Sequence, residues 1–316
     1  MSNRFQTGKA SSFSDHTARG AQFWPFVMMF VACYCCVSVD AREPTVRDIE
    51  FARLGDRVLK LDLYQPSPEH PAPRPVVVWV HGGAWRAGSK DNVPVTHWLE
   101  HGFAIASVEY RLSPEAKFPA QIHDIKAAIR FLRAKSEEYG LKRDNFVLVG
   151  GSAGGHLAAL AGVSRGVKEL EGTVGDHLGE PSDVQAIVSF YGAGNLQSIL
   201  GQSTPYGLSV RVPALQLLLG GQPDQVPVLA KLASPVAHVD SNDPALWLIH
   251  GDADPQMPIE QSRELAETYR KAGRPVDFQV IAGGKHGGPE FFANERLDSL
   301  ANAVRREIWT TQSVPR

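Results

Sequence analysis

The stretch that most constrains this chain is a short apolar run, residues 146–149, that passes at once into Gly150-Gly151-Ser152-Ala153-Gly154 and then into an Ala/Leu-rich segment reaching Gly162. The run reads as a buried strand and the segment after it as a helix. The small residues between them permit a sharp turn. A strand that turns directly into a helix is part of a βαβ unit, and βαβ units build parallel sheets with helices on both faces. The rest of the chain repeats this alternation. Residues 58–64 alternate, with Leu59, Leu61 and Leu63 on one face, as in a half-buried strand. Residues 75–80 form a continuous apolar run ending in His81-Gly82-Gly83, as in a fully buried strand. Further strands are predicted at 103–110, 184–191, 245–249 and 276–281. Ile122, Ile125, Ile129 and Leu132 recur at helical spacing, and helices are also predicted over 259–272 and 291–309.

The fold class is therefore α/β, a mainly parallel twisted sheet within one domain from residue 42 to 316. Residues 192–235 are the exception. This Gly-, Pro-, Gln- and Leu-rich segment is too long for an ordinary crossover loop, and it reads as a cap-like insertion over one end of the sheet. Ligands of open α/β sheets bind at the carboxyl ends of strands, where such an insertion would shape a pocket.

With 43% hydrophobic and 21% charged residues, the composition is that of a globular protein. A formal net charge of −2 excludes a basic nucleic-acid-binding surface as the organising feature. One stretch, residues 26–39, is uniformly apolar but shorter than the roughly 20 residues of a membrane span. Arg4, Lys9 and Arg19 precede it, and Val39-Asp40-Ala41 follows with small or apolar residues at the −3 and −1 positions. That is the pattern of a secretory signal peptide over residues 1–41, giving an exported protein with no membrane span in its mature part. An uncleaved anchor is the alternative, and Phe30-Val31-Ala32-Cys33 faintly resembles a lipoprotein processing box. All three cysteines, Cys33, Cys35 and Cys36, fall in the leader, so the mature chain is expected to have no disulfide, thiolate nucleophile or Cys-ligated metal.

Gly150-Gly151-Ser152-Ala153-Gly154 fits G-x-S-x-G, in which a strained strand-to-helix turn raises a serine hydroxyl above the sheet. A second match, Gly162-Val163-Ser164-Arg165-Gly166, follows a helix and carries bulky neighbours, so it reads as a helix C-terminal loop. A Gly-rich turn without chemistry is the alternative for the first. A serine nucleophile needs a base, and the base an orienting carboxylate. In the chain order Ser, acid, His, the loop His250-Gly251-Asp252-Ala253-Asp254 supplies the acid and His286 is the one histidine beyond it. Asp254 is favoured over Asp252, which sits where an Asp commonly caps its own turn. Backbone N–H donors for a developing oxyanion are expected from Gly82, Gly83 and Ala153, with His81 orienting the loop. Trp85 and Tyr191 are expected at the substrate pocket. No metal is assigned, because His250, Asp252 and Asp254 lack a completed ligand set, and neither H-E-x-x-H nor a P-loop or dinucleotide fingerprint occurs.

Together these residues resemble an α/β-hydrolase of the hormone-sensitive-lipase-like esterase branch. The resemblance spans the whole mature chain. It is carried by His81-Gly82-Gly83-x-Trp85, by Glu109-Tyr110-Arg111-Leu112-Ser113-Pro114-Glu115, and by Phe118-Pro119-Ala120-Gln121 leading to Asp124. It continues through Gly150–Gly154 with Gly155-His156, through His250–Asp254 with Pro258, and through Lys285-His286-Gly287. It implies a Ser152–His286–Asp254 triad, an oxyanion hole of Gly82, Gly83 and Ala153, and structural roles for Glu109 and Arg111. Ala84 stands where the lipase-like pattern has a third glycine. The His-Gly-Gly-x-Trp form looks more like bacterial feruloyl- and acetyl-xylan-esterase-like proteins and arylformamidases, and it points away from long-chain and tertiary-alcohol esters. The expected activity is hydrolysis of short-chain or aromatic carboxylic esters without a cofactor. The partner is a small-molecule ester and not nucleic acid, with a homodimer one option for assembly. An arylformamidase or exopeptidase-like amide hydrolase is the alternative within hydrolases, and a non-catalytic hydrolase-fold binding module the alternative outside them.

Overall fold

A computed structural model describes residues 42–310. The expected leader over residues 1–41, with its expected cleavage site and the three cysteines Cys33, Cys35 and Cys36, lies outside the described residues. Among the described residues eight strands form one sheet: β1 (Val46–Leu54), β2 (Arg57–Tyr64), β3 (Arg74–Val80), β4 (Ala104–Val108), β5 (Leu141–Gly151), β6 (Ala186–Phe190), β7 (Ala245–Gly251) and β8 (Val276–Ile281). Their spatial order is β1-β2-β4-β3-β5-β6-β7-β8. The β1/β2 and β2/β4 pairs are antiparallel, and every pair from β4 through β3 to β8 is parallel. The helices are α1 (Ala120–Ala134), α2 (Ala153–Val163), α3 (Lys168–Glu171), α4 (Ile199–Gln202), α5 (Pro205–Leu219), α6 (Pro227–Leu232), α7 (Glu260–Lys271) and α8 (Asn294–Thr310). Among the described residues no helix is long and apolar enough to cross a membrane.

The two faces of the sheet bury separate apolar clusters, and β3 shows why. Val76, Val78 and Val80 pack into the cluster that includes α1 and α2 residues, while Val77 and Trp79 enter the one containing Leu297, Leu300 and Val304 of α8. Successive side chains of a strand point to opposite faces, so a strand covered on both reads as an unbroken apolar run. All eleven residues of α2 are buried, which accounts for its Ala/Gly composition. At Gly154 an added Cβ would come within 2.0 Å of the Val80 carbonyl oxygen, so α2 lies against the end of β3 at a distance only glycine allows.

One strand escaped the sequence reading. β1 pairs with β2 through two register irregularities, between Val46 and Ile49 and between Glu50 and Ala52. Bulges break the two-residue alternation by which a strand is recognised. The segment 192–235 contains α4, α5 and α6. α5 starts at Pro205 behind Thr204, whose hydroxyl accepts the Gly207 N–H at 3.0 Å. It ends at Gly220, which takes a left-handed φ of 81°. The insertion is tied to the core at Phe118, whose N–H donates to Leu218 at 2.8 Å, and at Pro255, whose carbonyl accepts from the Thr204 hydroxyl at 2.8 Å.

Candidate active site

The parallel strands all point the same way, so the segments leaving β3, β5, β6, β7 and β8 gather at one end of the sheet. These segments carry Gly82 and Gly83, Ser152, Tyr191, Asp254 and His286 respectively. Ser152 follows β5 directly, with φ 55° and ψ −118°. A non-glycine residue there carries strain of about 1–3 kcal/mol and persists only where neighbours over-determine it. Two backbone bonds do so: the Ser152 N–H donates to the Phe190 carbonyl at 2.8 Å, and the Ser152 carbonyl accepts the His156 N–H at 3.0 Å.

Ser152 Oγ lies 2.8 Å from His286 Nε2, and His286 Nδ1 lies 2.7 Å from Asp254 Oδ2. An ionised carboxylate only accepts, so Nδ1 carries the imidazole proton and Nε2 is left to accept from the serine hydroxyl. The other oxygen, Asp254 Oδ1, accepts the N–H groups of Gln256 at 2.8 Å and Met257 at 2.9 Å. Burial pushes the Asp254 carboxyl up. The bonds from His250 and His286 and the Met257 N–H outweigh it and hold the group below the usual carboxylate range. Asp252 is engaged elsewhere: its Oδ1 accepts the Gly283 N–H at 2.7 Å. That is a loop-tying role of the kind turn aspartates commonly fill.

The Gly82 loop crosses the same turn. A Cβ on Gly82 would stand 2.9 Å from the Gly151 carbonyl oxygen and 3.4 Å from Ser152 Cβ. His81 stacks on Tyr110 with ring centroids 4.3 Å apart, and the Tyr110 hydroxyl donates to the His81 carbonyl at 3.0 Å. Burial lowers the His81 pKa. Among the described residues, the N–H groups of Gly82, Gly83 and Ala153 donate to no turn or loop carbonyl. Ala153 is the first residue of α2, where the helix leaves its N–H groups unpaired and partly positive.

Trp85, expected on the pocket wall, is fully buried. Its indole N–H donates to His156 Nδ1 at 3.0 Å, and His156 Nε2 faces the Ala233 carbonyl at 2.7 Å. Trp85 therefore joins the Gly82 loop, α2 and the end of the insertion from beneath the site. Burial lowers the His156 pKa to about 4. Tyr191 packs beside the imidazole of His286 and is nearly buried. Its ring centroid lies 4.9 Å from that of His286 and 4.9 Å from that of Phe291. Two further buried residues bear on Asp254, His250 by contact and Arg211 through its charge. His250 Nε2 is 3.4 Å from Asp254 Oδ2 and 3.0 Å from the Met257 carbonyl, while its Nδ1 faces Ser262 Oγ at 2.7 Å. Arg211, on α5, has a buried guanidinium whose pKa burial lowers to about 10. Nothing in the periodicity of α5 marks Arg211. His250 had a signal in its position at the strand end beside the acid loop.

A cavity of about 500 Å³ opens at the opposite, amino end of β6 and β7, beside Asp183, Gln185, Asp243 and Arg274. None of the residues just described lines it.

A family model described as BD-FAE matches residues 61–269, more than half of the chain. Esterase LipC of Mycobacterium tuberculosis is 30% identical over 231 residues, 72% of this chain and 56% of that protein. Esterase LipQ of the same organism is 32% identical over 257 residues, 79% of this chain and 59% of that protein. The chain thus spans less than two thirds of the length of either relative. A solved structure of a truncated carbohydrate esterase from gut microbiota superposes with a TM-score of 0.77 at 31% identity, covering 86% of this chain and 98% of that one.

Proposed function

The chain belongs to the BD-FAE family, and from that premise we propose that it is a carboxylic-ester hydrolase working through a serine nucleophile. The observation that carries the proposal is the hydrogen-bonded line from Ser152 Oγ to His286 Nε2 at 2.8 Å and from His286 Nδ1 to Asp254 Oδ2 at 2.7 Å. His286 takes the hydroxyl proton as Ser152 attacks the ester carbonyl. The N–H groups of Gly82, Gly83 and Ala153 receive the oxyanion of the tetrahedral intermediate. The alcohol leaves protonated by His286, and water repeats the sequence on the acyl-enzyme. Asp254 holds the imidazole in the productive tautomer and stabilises the imidazolium. His81, Trp85 and Tyr191 act as supports, the first two for the loop that presents Gly82 and Gly83, the third for His286.

The substrates proposed are short-chain or aromatic esters, including acyl groups on carbohydrate, in keeping with the gut carbohydrate esterase among the similar structures. The hydrolase domain is residues 42–316, with 192–235 as a small cap. Residues 1–41 form a cleaved export signal.

Purified protein assayed on p-nitrophenyl acetate, p-nitrophenyl butyrate, methyl ferulate and acetylated xylose tests this reading, with an N-formyl anilide as the amide comparison. Ser152→Ala is expected to lose about 10⁴-fold or more in kcat and to lose labelling by a fluorophosphonate probe while keeping its thermal unfolding transition. Retained activity or labelling in that variant overturns the serine mechanism. Faster turnover of the formyl anilide than of every ester overturns the ester reading.

A further inference from the structure

On the face of the sheet covered by α8, three metal-ligating side chains converge on one point. His97 and His101 come from the 3₁₀ turn Thr96–His101, and Asp298 from the second turn of α8. Both imidazoles present Nε2 to the same carboxylate oxygen: His97 Nε2 is 2.6 Å and His101 Nε2 is 2.7 Å from Asp298 Oδ1. The two rings stand nearly perpendicular, with centroids 5.9 Å apart. We propose that His97, His101 and Asp298 form a zinc-binding site that clamps the 3₁₀ turn to α8.

The donor set is two imidazoles and one carboxylate, the borderline nitrogen–oxygen set that zinc takes in three-ligand sites with a fourth position left to water. Tetrahedral ligation at Zn–N and Zn–O distances near 2.1 Å separates ligand atoms by about 3.4 Å. The present hydrogen-bonded spacings therefore need to open by less than about 1 Å. The side chains have room for that movement, since Asp298 is 46% exposed and His97 24%. Their backbones are fixed. Trp98 and Leu99 of the turn are buried with Leu297, Leu300 and Val304 of α8, and Arg305 of α8 donates to the His101 carbonyl at 3.2 Å. Ligands held on packed elements are already gathered, which removes most of the ordering cost of binding. The site shares no residue with Ser152, His286 and Asp254. Its role is to stabilise the fold.

Thermal unfolding of the full chain with added ZnCl₂, after removal of metal by EDTA, is the test. At a free zinc concentration about 100 times the dissociation constant, Tm is expected to rise by about 5–10 °C. MgCl₂ at the same concentration is expected to give no rise, because magnesium favours oxygen ligands. His286→Ala should show the same zinc response, which separates this site from metal capture by the active-site imidazole. The double variant His97→Asn/His101→Asn should lose the response, with zinc affinity down by more than the about 10–100-fold that loss of a mere outer hydrogen-bond partner costs. Asp298→Asn, a change on an exposed position that keeps shape, should weaken the response and carries the test if the double variant does not fold. The proposal is overturned by no zinc shift in the unsubstituted chain, by an equal shift with magnesium, or by an undiminished shift in both variants.

Discussion

Asp254→Asn offers the sharpest test of the proposed mechanism, because the structure dictates how the new amide must sit. Asp254 Oδ1 accepts two backbone N–H groups, from Gln256 at 2.8 Å and Met257 at 2.9 Å. Turning the NH₂ toward them would leave two donors unsatisfied, at about 1–3 kcal/mol each. The amide oxygen therefore keeps the Oδ1 position. The NH₂ then takes the Oδ2 position, 2.7 Å from His286 Nδ1. There it can only donate, so Nδ1 must accept and the ring proton moves to Nε2. An Nε2–H cannot take a proton from Ser152, which lies 2.8 Å away. Locking a triad imidazole in the wrong tautomer costs about 10⁴ in kcat, or roughly 5 kcal/mol of transition-state stabilisation. The assay is kcat and KM on p-nitrophenyl acetate at pH 7.5, with thermal unfolding as the control for folding. The expected result is a loss confined mostly to kcat, in a folded protein. A folded variant within tenfold of the original kcat would refute the argument, and with it the assignment of Asp254 as the orienting acid. Asp252→Asn is the internal control. Its carboxylate serves the Gly283 N–H, which an amide oxygen also serves, so kcat should fall by less than tenfold.

Further expectations concern stability. Gly154→Ala places a Cβ 2.0 Å from the Val80 carbonyl oxygen, an overlap that α2 can relieve only by leaving β3. Denaturant unfolding should show a loss above about 4 kcal/mol or no folded protein. Gly166→Ala, where φ is +74° and no atom lies within 4 Å of the new Cβ, should lose only about 1–2 kcal/mol. His156, buried with a pKa lowered to about 4, stays neutral when folded while the unfolded chain takes up a proton below about pH 6.5. Its contribution is therefore intact above pH 6.5 and is lost as pH falls toward 4, by roughly 3 kcal/mol in all. Asp243, pushed up to about 7 by burial, acts in the opposite sense: the folded form holds a proton between about pH 4 and 7 that the unfolded chain releases. The difference between the original chain and His156→Gln across pH 4–7 isolates the histidine, and parallel stability curves for the two would contradict its burial in the neutral form.

Local chemistry explains why much of this molecule could be read from the string. β3 announces itself because a strand buried on both faces must be apolar at every position, as Val76 through Val80 are. The turn at Ser152 announces itself because a strained serine crossed by other chains tolerates only small neighbours. Strand direction in a parallel sheet carries Ser152, the Asp252/Asp254 loop and His286 to the same end, so chain order narrows the many serines, acids and histidines to this group without deciding between the two aspartates. β1 stayed hidden because its bulges break the alternation. Trp85 is fully buried, and nothing local signals that, because whether an aromatic side chain lines a cavity or fills the core depends on a partner, here His156, 71 positions away.

What the residues alone determined, then, is whatever depends on neighbours a few positions apart: periodicity, turn chemistry, and which kinds of side chain leave the strand ends. The folded chain decided everything that depends on distance across the sequence. It chose Asp254 over Asp252 by giving one carboxylate to an imidazole and the other to the Gly283 N–H. It set Asp298 against His97 and His101, some two hundred positions earlier. Hydrogen bonds and metal ligation act over about 2–3 Å, and at that range only the packing of separate elements determines which groups meet.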